Sequence, residues 1–233
     1  IIYTLLFTQY TFNKNAMLYD LHHNQGEKTF LEYSEKNKLI QPIVFKNKQS
    51  TVSLVIILKN EARHLADCLD TVHDLVDEII ILDSGSTDNT KEIADRYGAK
   101  WYTNTDWQGF GKQRQLAQTY ATQDYVLVLD PDERLDQPLR EEIAKVLEQP
   151  LQRDKVFSLA RVNLFCGIEV QKRFFYTDKL ARLYSREDYQ YSSLEVHESL
   201  DQKNAPSQRL DGFLPHLTND DLHHFLLKNV RYS

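Results

Sequence analysis

Apolar residues fall along the central part of this chain in short runs, each closing on a polar cluster and then giving way to apolar positions at helical spacing. The run 52–58 ends in Lys59-Asn60-Glu61, after which Leu65, Cys68, Leu69 and Val72 recur three and four residues apart. That pattern predicts strand, turn and helix. A second run, 78–82, ends in Asp83-Ser84-Gly85-Ser86-Thr87-Asp88. The next helix is expected from about Asn89, with Glu92 at capping-box spacing, Ile93 and Tyr97 on one face and Gly98 as its stop. A short strand at 100–102 leads into a loop with Trp107, Gly109, Phe110 and Gly111, then a helix carrying Lys112, Arg114, Leu116 and Tyr120. The fourth run, 125–129, enters Asp130-Pro131-Asp132-Glu133, and Asp136 with Pro138 opens an amphipathic helix through Leu139, Ile143 and Val146. Strands alternating with helices in this way predict an α/β fold with an open, mostly parallel, doubly wound sheet flanked by helices. Beyond Gln149 the alternation fades: 156–165 reads as a strand and the remainder as irregular.

The acids after the fourth run carry the first chemical signal. Open α/β sheets place ligands beyond the carboxyl ends of their strands, and two carboxylates one residue apart suit a hard divalent cation such as Mg2+ or Mn2+. Pro131 cannot donate to a ladder, so strand pairing should stop there. Asn60 with Glu61, the cluster 83–88 and the acids 130–133 fall at matching ends of three strands, which favours one site over three separate helix caps. Asp83 is suited to accept a hydrogen bond from a uracil ring NH or a ribose hydroxyl, and Asp130 from ribose, leaving Asp132 for a metal and Glu133 unneeded as a ligand. Neither G-x-G-x-x-G nor G-x-x-x-x-G-K-[ST] is present, so a metal-bridged diphosphate fits better than phosphates cradled by a helix.

Composition narrows the classes. With 233 residues, 41% hydrophobic, the chain is long enough for one large domain or two small ones with a real core. A net charge of -6 argues against nucleic acid as the main partner. Two cysteines, Cys68 and Cys166, far apart, fit a reducing compartment and show no zinc spacing. The apolar run 1–7 is too short to span a bilayer and has no basic residue before it.

Several motifs together resemble family 2 glycosyltransferases, and more narrowly bacterial lipopolysaccharide core glucosyltransferases. They are the run 55–61 ending in Lys59-Asn60-Glu61, the block 76–88 ending in Asp83-Ser84-Gly85-Ser86-Thr87-Asp88, Trp107-Gln108-Gly109-Phe110-Gly111-Lys112-Gln113, and Leu129-Asp130-Pro131-Asp132-Glu133-Arg134. The resemblance continues through Val196-His197-Glu198 and His216 to Arg231-Tyr232-Ser233. It implies a nucleotide-diphosphate-sugar transferase fold of GT-A type, a UDP-sugar donor, Mn2+ or Mg2+, and inversion at the anomeric carbon. Asn60, Glu61 and Asp83 match positions that hold the nucleoside, with Ser84, Lys112 and Asp130 also on the donor side. Asp130 and Asp132 match the Asp-x-Asp pair, Asp132 as the direct metal ligand. The sequence departs from the pattern at Pro131, Leu58 and Thr177, none of which removes a carboxylate.

Residues 1–50 then read as an irregular leader, partly fragment sequence, 51–149 as the nucleotide-sugar-binding half and 150–233 as the acceptor-binding half. Inverting transfer needs a base on the acceptor side. Asp178, followed by Arg182-Leu183, is the first choice and Glu198, beside His197, the second. Asp178 also has a plainer reading as an ion pair with Arg182 four residues on. Arg161, Lys172, Arg173, Lys179 and Arg182, interleaved with Phe165, Phe174, Phe175 and Tyr176, suit an anionic lipid-linked inner-core saccharide, or equally an ordinary solvated face. The near-helical stretch 222–232 suits docking on the domain or contact with a membrane surface, and the chain stopping within it implies a further C-terminal region. The expected place is the cytoplasm, at the cytoplasmic face of the inner membrane. Two other readings stand beside this one: an aspartyl-phosphate phosphohydrolase with Asp130 as nucleophile and Asp220-Asp221 as its late acids, and a sugar-nucleotide binding module without turnover.

Overall fold

The computed structural model describes residues 40–165, 168–169, 178–193 and 199–219. Its first half follows the hydrophobic pattern: β1 (Val52–Leu58), α1 (Leu65–Asp70), β2 (Glu78–Asp83), α2 (Thr90–Arg96), β3 (Lys100–Thr103), α3 (Phe110–Gln118), β4 (Tyr125–Val128) and α4 (Gln137–Leu147). Every residue of β1, β2 and β4 is buried, as parallel strands covered on both faces require. Leu54 and Ile56 of β1 pack with Leu65, Leu69, Ile93 and Ile143 from α1, α2 and α4. Val55 and Ile57 face the opposite layer, with Ala117 of α3 and Tyr184.

Two of the three helix-end signals read from the sequence hold. Asp136 caps α4, accepting the Leu139 amide at 2.9 Å. Gly98, at φ +66°, ends the α2 region in the left-handed conformation. The capping box expected at Asn89 is absent: Asn89 makes no side-chain cap, and Asp88 takes the Thr90 amide (3.1 Å) and hydroxyl instead.

The second half is richer in strand than its sequence suggests. It supplies β5 (Val156–Phe165), β6 (Ile168–Glu169), β7 (Asp178–Ser185), β8 (Gln190–Tyr191), β9 (Leu200–Asp201), β10 (Ser207–Arg209) and β11 (Leu214–Asn219). Four of these are only two or three residues long, too short to show a period. One mixed sheet runs in the order β10-β5-β7-β4-β1-β2-β3, with β6 and β11 also on β5, while β8 and β9 pair separately. It crosses the boundary expected near residue 150, since β7 pairs antiparallel with both β4 and β5.

This topology positions the site. β1 is parallel to β2 on one side and to β4 on the other, so the winding reverses at β1. The crevice beyond the carboxyl ends of β1 and β4 is the switch point at which such sheets bind ligands.

Candidate active site

A cavity of about 620 Å³ opens at that switch point. Its lining includes Lys59 and Glu61 after β1, Ser84 after β2, Trp107 and Phe110 before and at the start of α3, and Asp130, Pro131 and Asp132 after β4. His216 on β11 completes it.

The turns beyond β1 and β2 brace each other. Asn60 adopts a left-handed backbone, φ +57°, which asparagine tolerates better than most residues. Its amide donates to Ser86 Oγ at 2.8 Å, and its Oδ1 accepts the Thr87 amide at 2.7 Å. The Asp83 carboxylate accepts the Ser86 amide (2.9 Å to Oδ1) and hydroxyl (2.6 Å). Of the three side chains expected to hold a nucleoside, Asn60 and Asp83 are thus engaged in shaping the turns, whereas Glu61 lines the cavity together with Ser84. Ser84 Oγ accepts from Gln113 Nε2 at 3.0 Å, tying α3 to the end of β2. Lys112 is exposed, bonds to Gln108 Oε1 at 3.0 Å, and is not part of the lining.

Behind the acids lies a buried charge cluster that the sequence did not disclose. Asp130 Oδ1 accepts Arg114 Nη2 at 2.7 Å and its Oδ2 accepts Arg182 Nη2 at 2.9 Å. Arg182 Nη2 also reaches Glu133 Oε1 at 3.0 Å. Burial alone would raise the Asp130 carboxyl, but the Arg114 and Arg182 charges outweigh it and hold the group well below the usual carboxylate range. Burial pushes Glu133 up, with the Asp130 charge adding to it and Arg182 opposing. Burial would lower Arg182, but Glu133 and Asp130 raise it well above its ordinary value. Arg114 is further held with its guanidinium carbon 5.2 Å from the Tyr191 ring centroid. Cys68, buried beneath, has its thiol pushed up to about 12 by burial and is no nucleophile.

Asp132 is differently placed. Its Oδ2 lies 3.2 Å from His216 Nε2, with both side chains partly exposed. The other imidazole nitrogen, Nδ1, is 2.8 Å from Asn163 Oδ1. The roles of the two ring nitrogens depend on the tautomer: with Nδ1 donating to Asn163 Oδ1, Nε2 either donates a second proton to the Asp132 carboxylate or, in the neutral ring, sets a lone pair beside it. Two such groups side by side call for a proton or a cation between them, and an oxygen with an imidazole nitrogen suits a divalent metal, Mn2+ better than Mg2+. Asp132 and His216 therefore fit the metal that the resemblance implies. Among the described residues no group of three or more His, Cys, Asp or Glu is disposed to hold a metal ion, and Asp132 with His216 is a pair.

Of the two candidate bases, Asp178 is the first residue of β7, its backbone paired with Arg161 of β5. The helical pairing of Asp178 with Arg182 does not apply: the segment is a strand, on which residues four apart are separated by about 13 Å, and the Arg182 guanidinium faces Asp130 and Glu133. Glu198, His197, Asp220, Asp221, the basic and aromatic residues 172–176 and the stretch 222–232 lie outside the described residues. No described helix is long and apolar enough to cross a membrane.

Nucleotide-sugar transferases of GT-A type share this architecture. S. aureus TarS 1–349 in complex with UDP-GlcNAc superposes with a TM-score of 0.54 at 17% identity, over 75% of this chain and 60% of that one. The glycosyl transferase family 2 model matches residues 53–191, and the chain belongs to that family. An uncharacterized glycosyltransferase of Rickettsia felis is 32% identical over 136 residues, 58% of this chain and 48% of that protein. The lipopolysaccharide core biosynthesis glycosyltransferase LpsC of Rhizobium meliloti is 29% identical over 189 residues, 78% of this chain and 68% of that protein. The chain spans about half the length of the Rickettsia relatives it matches.

Proposed function

We propose that this chain is an inverting hexosyltransferase that moves glucose from UDP-glucose to the inner-core heptose of a lipopolysaccharide or lipooligosaccharide, using Mn2+ or Mg2+. The observation that carries the reading is the confrontation of Asp132 and His216 at the switch-point cavity, next to an Asp130 already neutralised by two arginines. The likeness to LpsC supports the acceptor class, and TarS with UDP-GlcNAc supports a UDP-sugar donor.

In this reading Asp132 and His216 hold the cation, which when bound stabilises the charge of the departing diphosphate. Glu61 and Ser84 contact the donor from the β1 and β2 ends, while Asn60 and Asp83 set the turns that present them. The acceptor hydroxyl attacks the anomeric carbon as the bond to the diphosphate breaks, and its proton passes to Asp178, with Glu198 as the second candidate. Residues 51–149 bind mainly the donor and 150–233 mainly the acceptor, with His216 reaching across to the donor side. Arg161 and the exposed Lys179 supply positive charge for an anionic, lipid-linked saccharide at the membrane surface. The phosphohydrolase reading fits less well, because Asp130, its nucleophile, has both oxygens engaged by guanidinium groups.

Incubation of the purified protein with UDP-glucose, Mn2+ and isolated core acceptor is expected to release UDP and form a glucosylated product of inverted configuration. Asp178→Asn should keep donor affinity and lose transfer by about 100-fold or more. Full activity in that variant would move the base to Glu198. Phosphate release from phosphomonoesters without sugar transfer would sink the reading altogether.

A further inference from the structure

Glu133 is completely buried, although it is an acid next to Asp132 and has no place as a ligand. Its carboxylate is spent inward: Oε2 accepts the Asp130 amide at 2.9 Å, and Oε1 accepts Arg182 Nη2 at 3.0 Å. Its own amide donates to the Asp130 carbonyl at 2.9 Å, so one residue closes the 130–133 turn through both backbone and side chain. Its backbone also forms an antiparallel bridge with His216. That bridge is flanked by the Leu217 amide on the Asp132 carbonyl and the Arg134 amide on the Pro215 carbonyl, both 2.9 Å. The Glu133 side chain thus closes the turn that bears Asp132, and the backbone hydrogen bonds of its two neighbours, Asp132 and Arg134, tie that turn to the segment bearing His216.

We propose that Glu133 is a positioning residue that holds the Asp132 carboxylate and the His216 imidazole face to face as a preformed cation-binding pair. The inference rests on the reading of that pair given above. Stability alone accounts poorly for the arrangement, because buried ion clusters replaced by well-packed apolar groups are often no less stable. An apolar residue at 133 would fill the space but would neither accept the Asp130 amide nor anchor Arg182. Partners that orient metal ligands in this way typically change metal affinity by about 10- to 100-fold when removed.

The test is Mn2+ titration of the full chain in the presence of UDP, followed by electron paramagnetic resonance well below the thermal midpoint of each protein. Glu133→Gln keeps the size and an acceptor oxygen but loses the charge, and should weaken Mn2+ by about 10- to 100-fold. Arg182→Lys keeps a positive charge without the fork and should shift affinity in the same direction; it decides the matter if Glu133→Gln does not fold. Asp132→Asn should remove Mn2+ binding. Loss of binding in Asp132→Asn with wild-type affinity in the folded Glu133 and Arg182 variants would overturn the positioning role alone. Wild-type affinity in Asp132→Asn would overturn the cation pair itself.

Discussion

Asp132→Asn is expected to abolish Mn2+-dependent binding of UDP-glucose, weakening it by about 100-fold or more, while the thermal midpoint of the unliganded protein stays close to wild type. The two outcomes separate because Asp132 is at the cavity surface: its side chain is 25% exposed, and its carboxylate faces His216 and not the buried cluster. An asparagine fills the same volume and leaves no buried group without a partner. What it removes is the negative charge that a cation would need. Calorimetric titration of UDP-glucose with and without Mn2+ checks the first half, and thermal unfolding the second. Unchanged Mn2+-dependent affinity would show that the cation is held elsewhere.

Arg182→Leu is expected to act on the fold. The guanidinium is buried between Asp130 and Glu133, so its removal strands Glu133 without a cation at hydrogen-bond distance and leaves Asp130 to Arg114. Breaking a buried ion cluster by deleting one partner costs roughly 3–5 kcal/mol, which a shift in the urea midpoint at unchanged slope would report. A loss below about 1 kcal/mol would mean that the cluster is effectively solvated. The depressed Asp130 carboxyl supplies an acid-labile part of the stability, and the raised Glu133 carboxyl acts in the opposite sense. The Asp130 contribution to wild-type stability is fully present above its unfolded pKa of about 3.9 and is lost as the pH falls below that toward the folded value.

The parallel half of the sheet was legible because its chemistry is local. Runs of four or five buried apolar residues, followed within two positions by Asn60, Asp83 or Asp130, mark the strand ends here. The β5–β11 region was largely illegible because its short strands are defined by partners and not by period, as when β11 pairs with β5 some fifty residues earlier. The same division runs through the site. Asp132 could be singled out from its spacing to Asp130 and its place after an apolar run. The arginines could not, since Arg114 and Arg182 reach Asp130 from 16 and 52 residues away. His216 entered the sequence reading only through the resemblance; its pairing with Asp132 spans 84 residues. Asn60 and Asp83 illustrate the converse. Their positions at the strand ends were read correctly, but a polar side chain in a turn can satisfy the turn itself, and both do.

Pro131 is compatible with one shared cavity: Asp130, Pro131 and Asp132 all line it, with the two carboxylates given different partners. One is locked by arginines and the other meets an imidazole. That separation of duties is the centre of the account, and UDP binding to the wild-type chain tests it most directly. Isothermal titration should show UDP binding in Mn2+ and an affinity at least about 10-fold weaker once the cation is chelated. Equal affinity in Mn2+ and in chelator, or no UDP binding with Mn2+ present, would contradict it.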